Sequence, residues 1–115
     1  MANTFKVKTK AAVGTSAGTV YTVPNSPSTT TVVLGVILGN VTGSAINATV
    51  TVESDTSDTE TNANVELVTN APIPAGGSLE TLGGCKLVLQ TTDVLKVTSD
   101  TASSIDVALS IMEIT

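Results

Sequence analysis

Residues Thr30–Asn40 read TTVVLGVILGN, the longest near-continuous apolar run in the chain. Val32, Val33, Leu34, Val36, Ile37 and Leu38 carry it. The run is too short to span a bilayer. Its β-branched residues are stiff at χ1 and suit a pleated surface better than a helix. Gly35 within it and Gly39 near its end mark a bulge or a close backbone approach. A strand apolar on both sides belongs in the middle of a sheet, covered above and below. The run therefore predicts the central strand of an all-β domain.

Outward from this strand, both flanks carry period-two alternation. On the N-terminal side, Phe5, Val7 and Thr9 alternate with Lys6, Lys8 and Lys10, giving one apolar and one charged side. TVYTV (19–23) reads as a second strand, closed by Pro24-Asn25-Ser26-Pro27. On the C-terminal side, Ile46, Ala48, Val50 and Val52 alternate with Asn47, Thr49, Thr51 and Glu53, so Ile46, Val50 and Val52 should face a core shared with Val36 and Leu109. Further strands are predicted at 65–68, 78–82, 85–90, 94–98 and from Ile105 onward. Prolines on both sides of Ile73 predict an extended crossover there rather than a ladder strand. Turn signals recur about every ten residues and no helical period occurs. The expected fold is a single compact antiparallel β-sandwich of about eight short strands, immunoglobulin-like or jelly-roll-like. It occupies residues 11–115, with residues 1–10 as a first strand or a docking arm.

A chain of 115 residues supports one core. Aromatic residues are 2% and hydrophobic residues 41%, so that core is aliphatic. Charged residues are 13%, about half the usual share. A surface of hydroxyls and small groups suits a protein that packs against neighbours in an assembly, and is also compatible with an ordinary soluble β-domain. The net charge of −5 is unevenly spread: Lys6, Lys8 and Lys10 are the only charged side chains before Glu53, and all ten acids lie from Glu53 onward with only Lys86 and Lys96. Such asymmetry fits contacts between copies, a basic arm on an acidic partner, or an edge strand guarded by lysines. An acidic chain without arginine is a poor binder of nucleic acid.

Catalysis finds little to work with. Histidine is absent, so a nucleophile has no ordinary base beside it. The single Cys85 has no partner for an internal disulfide and is expected as a buried free thiol at the start of an apolar strand. Asp55, Asp58 and Glu60 lie in a polar tip, DTSDTETN, that lacks the spacing of a calcium loop; a solvated tip and no metal site are expected. Gly76-Gly77 and Gly83-Gly84 are turns rather than a phosphate cradle, and no cofactor is expected. Asn40-Val41-Thr42 and Asn47-Ala48-Thr49 match a glycosylation pattern. However, the start MANTFKVKTK has no apolar segment of a secretory signal, so synthesis in a cytoplasm is expected.

The basic NTFKVKTK start, the TVYTVP strand, APIPAGGSLETLGG and the closing DTASSIDVALSIMEIT together resemble a family of small structural proteins of marine tailed bacteriophages, especially those infecting cyanobacteria. The resemblance runs from Asn3 to Thr115 and rests on packing and turn patterns rather than on chemistry. It implies a virion protein, foremost a capsid decoration protein bound to the major capsid protein lattice. A neck or tail attachment protein, or a displayed receptor- or carbohydrate-binding module, is the alternative. The expected partners are the major capsid protein and copies of the chain itself, a homotrimer among them, with no nucleic acid or membrane. The expected location is the capsid surface, and the expected docking residues are Phe5, Lys6, Val7, Lys8 and Lys10.

Overall fold

Residues Thr30–Asn40 form a strand with the bounds read from the sequence, here β3. A computed structural model of the chain describes residues 2–57 and 59–115. Among these residues nine strands occur: β1 (Asn3–Val13), β2 (Gly18–Thr22), β3 (Thr30–Asn40), β4 (Ile46–Glu53), β5 (Val65–Ile73), β6 (Ser78–Glu80), β7 (Leu87–Leu89), β8 (Val94–Ser99) and β9 (Ile105–Ile114). All named pairings are antiparallel. One sheet has the order β1-β9-β3-β6, with β7 also paired to β3, and the other has the order β2-β8-β4-β5. The two sheets enclose one core, so the chain is the expected all-β antiparallel sandwich.

β3 is central in its sheet, but it is not covered on both sides. Thr31 and Val33 point into the core at its start, and Val36, Leu38 and Asn40 do so at its end. The inward parity therefore switches from odd to even numbers, at a register shift between Val33 and Gly35. One extra residue in a strand reverses the facing of everything after it, which is what a bulge does. The apolar run is continuous because the buried set changes phase within it, and because Val32 and Ile37 lie on the sheet's outer side.

The expected core forms. Ile46, Ala48, Val50 and Val52 of β4 are buried with Leu95 and Val97 of β8, opposite Val36 and Leu38 of β3 and Val107, Leu109 and Ile111 of β9. Two local expectations are corrected. Pro72 and Ile73 do pair in a ladder, with Asn47 and Ile46, because β5 is an edge strand, where a proline's missing donor can face away from its one neighbour. Cys85 is exposed and lies before β7, in the turn that follows β6. Gly83 and Gly84, both at positive φ, carry that turn. Because β6 and β7 pair with successive parts of β3, they are one edge strand broken in two. The N-terminal segment, read as a first strand or a docking arm, lies as a strand against β9, paired from Asn3 to Lys10 and again at Val13.

A charge at the centre of β4 should abolish folding. Val50→Asp buries an unpaired carboxylate at a cost of several kcal/mol, against a total stability of about 5–15 kcal/mol for a domain. The expected result is insoluble or non-cooperatively melting protein by circular dichroism. Thr49→Asp, on the opposite side of the same strand, should still melt cooperatively.

Candidate interaction surface

The register of β1 on β9 decides where the expected docking residues point. Lys6, Lys8 and Lys10 stand opposite Ile111, Leu109 and Val107, all buried, and residues directly opposite one another share a face. The lysines are therefore on the core side of the sheet, at its edge. Phe5 and Val7 stand opposite Met112 and Ser110, on the outer side. The structure thus splits the five residues between two environments.

On the core side, Lys6 Nζ lies 2.7 Å from Oε1 of the buried Glu113. The hydroxyl of Tyr21, on β2 of the other sheet, donates to Glu113 Oε2 at 2.5 Å and lies 2.8 Å from Thr31 Oγ1. This polar knot joins β1, β9 and β3 to the opposite sheet near the start of β3. Asn40, at the far end of β3, makes a second tie: its Nδ2 donates to Ser44 O (2.8 Å) and to Ile73 O (3.1 Å), and its Oδ1 accepts from Thr42 N (2.9 Å). Its amide is therefore buried and occupied rather than presented as a glycosylation acceptor. The sequence carried one signal for the knot, since Glu113 falls in the inward phase of Ile105, Val107, Leu109 and Ile111. Tyr21 gave no comparable signal. The stem of Lys10 runs over Gly18, where an added Cβ would meet Lys10 Cε at 2.6 Å. Lysines placed this way lay their methylenes along the sandwich margin and keep their charges in water.

On the outer side, four strands contribute one cross-strand row: Phe5 opposite Met112, Met112 opposite Val32, and Val32 opposite Val88. Phe5 is 72% exposed, Val7 64%, Val88 58% and Ile37 49%. A depression of about 440 Å³, lined by Thr9, Ile37, Ala108 and Asp106 among others, continues the same face. The corresponding row on the outer side of the other sheet is Thr19, Lys96, Thr51 and Glu66. There Lys96 pairs with Glu53 at 3.0 Å. One outer face thus carries an apolar row, with Asp106 and Glu80 towards its other end, and the corresponding row of the other face is polar and charged.

The acidic tip is more tied than expected. Asn62 Nδ2 donates to Ser54 Oγ (3.2 Å) and Thr56 Oγ1 (2.9 Å), and Thr56 Oγ1 donates to Gln90 Oε1 at 2.8 Å. Asp55 is exposed and lines a depression of about 270 Å³ with Glu53 and Asn64. Glu60 is exposed, and Asp58 lies outside the described residues. Among the described residues, no three His, Cys, Asp or Glu side chains converge in a group that could hold a metal ion. No helix there is long and apolar enough to cross a membrane.

No family model matches the sequence, and no curated protein matches it. Solved structures show a likeness of fold. The chain is similar to one from the T13 particle of infectious bursal disease virus, with a TM-score of 0.58 at 11% identity. That match covers 96% of this chain and 30% of the viral one. A chain from the Gx strain of the same virus gives 0.52 at 9% identity, over 96% of this chain and 36% of that one. A chain of the Bacillus endospore appendages, described as disulfide-linked pili, gives 0.51 at 14% identity, over 99% of this chain and 87% of that one. This chain thus spans about a third of the length of the viral chains and most of the pilus chain. At these identities the likeness establishes the β-sandwich fold.

The polar knot sets the pH response. The Lys6 ammonium, then the Tyr21 hydroxyl, hold the Glu113 carboxyl below the usual carboxylate range. Its charge therefore favours folding at all pH values above that range, and the contribution fades as pH falls through the depressed folded value. Burial, then the bond to Glu113, pushes the Tyr21 hydroxyl up to about 12. That contribution is complete below the unfolded tyrosine value near 10 and is lost as pH rises towards about 12. Thermal melts should show Glu113→Gln flattening the acid limb, and Tyr21→Phe costing about 1–2 kcal/mol at neutral pH while removing part of the alkaline limb.

Proposed function

We propose that the chain is a structural component of a virion, a capsid decoration protein that packs into the shell of a tailed phage of the marine kind its sequence resembles. It is made in the host cytoplasm, carried on the capsid surface, and has no catalytic activity of its own. The observation that carries this reading is the inequality of the two outer faces. A lone soluble sandwich has no use for a row of Phe5, Met112, Val32 and Val88 on an open sheet face, whereas a subunit packed against neighbours does. The likeness of fold to chains of an icosahedral virus particle supports the same reading. Seawater ionic strength screens surface charge within a few ångström, so apolar burial is the contact that persists there. A sugar-gripping module is less well supported: Tyr21 is buried, which leaves Phe5 as the single open ring.

Copy number tests the proposal. Particles purified from a culture that produces this chain should contain it in hundreds of copies, in fixed ratio to the major capsid protein by gel densitometry. A few copies per particle would move it to the neck or tail. Absence from washed particles would overturn the virion reading.

A further inference from the structure

We propose that the outer face of the five-stranded sheet is the interface of a homodimer whose two-fold axis lies in the interface, parallel to the strands and between β9 and β3. The inference rests on the reading of that face as a packing surface and goes further by naming what covers it: a second copy of the same chain.

The order of residues across the face carries the argument. Such an axis reverses the order of strands and keeps the level along them. The row Phe5, Met112, Val32, Val88 then lies on its own copy in reverse. Phe5 meets the partner's Val88, and Met112 meets the partner's Val32, so that the larger side chains fall on the smaller ones at every position of the row. The two acids of the face fall over small or polar residues. Glu80 is level with Ile37, Ala108 and Thr9, so it falls over the partner's Thr9. Asp106 is level with Gly39 and falls over the partner's Gly39. Glu80 is carried about three strand spacings from its own copy, whereas the two Asp106 side chains lie beside the axis about 4.8 Å apart, over glycine and at the open end of the face. An axis running across the strands would instead set Val88 against the partner's Glu80 and Phe5 against the partner's Thr9. That arrangement buries a carboxylate against a valine, which is costly.

Size agrees with the assignment. Four strands about 4.8 Å apart and about eight residues long at 3.3 Å per residue present roughly 500 Å². Two copies together bury about 1,000 Å², the level from which specific interfaces begin. The polar outer face of the other sheet has no such row, so pairing stops at two copies.

The test uses the full chain. Light scattering on a sizing column should give twice the 11.5 kDa mass of the chain at tens of micromolar, unchanged in 1 M salt. Phe5→Asp and Val88→Asp, both at open positions on edge strands, should keep the wild-type circular dichroism spectrum and weaken pairing about 30-fold or more. Geometry is read with Cys85→Ser as background. Phe5→Cys protein mixed with Val88→Cys protein should give a covalent heterodimer with a short bismaleimide, and neither alone should. A monomer at all concentrations, a trimer, or a dimer indifferent to both aspartates overturns the proposal. Cross-linking of Phe5→Cys to itself overturns the axis. A monomer that is still abundant in particles leaves the virion reading standing without the dimer, and a dimer absent from particles does the reverse.

Discussion

A side chain on an extended strand can point to only two sides, and β9 obeys that constraint without a break. Ile105, Val107, Leu109, Ile111 and Glu113 all point inward, and Asp106, Ala108, Ser110, Met112 and Ile114 all point outward. Both long neighbours take their register from it. β1 inherits a core side made of lysines and an outer side carrying Phe5 and Val7. β3 can match β9 along its whole length only by inserting one residue near Gly35, and that insertion sets which of its apolar side chains are buried. The sandwich, the open apolar row and the polar knot all follow from this single alternation.

Much of the fold was legible for the same reason. Period two in 46–53 and from Ile105 onward identifies strands and inward residues together, because alternation is a direct image of half burial. The bounds of β3 were legible too. Its environment was not, since a run that changes phase looks identical in sequence to a run buried on both sides. Pro72 misled because a local rule about donors depends on whether the strand is an edge, and that is a property of the whole sheet. Cys85 misled because Gly83 and Gly84 extend a turn past it. The interaction surface was half legible: the split of Phe5 and Val7 from the lysines shows in the alternation, but Val32, Ile37, Val88 and Met112 join them only through pairing between distant strands.

The buried polar side chains of β3 sit at its ends rather than in its middle. Thr31 takes part in the knot with Tyr21, Glu113 and Lys6, and Asn40 ties to Ser44 and Ile73. Between them the contacts of β3 with the other sheet are aliphatic. Aliphatic packing tolerates sliding, whereas a hydrogen bond fixes direction and distance. Two polar ties at opposite ends of one strand therefore fix how one sheet lies on the other, while the side chains between them supply the burial.

Three of the four sheet edges are guarded against further strands, each by a different means, and the fourth, β2, is only five residues long. β1 turns its lysines inward, β6 and β7 are too short and separated by a turn, and β5 carries Pro72. A chain so rich in threonine and valine is the kind of composition that seeds cross-β fibrils when edges are open. With the edges guarded, crowding many copies together raises the local concentration without offering a template for growth. A contact that uses only the one apolar outer face then ends at two copies instead of growing into a filament.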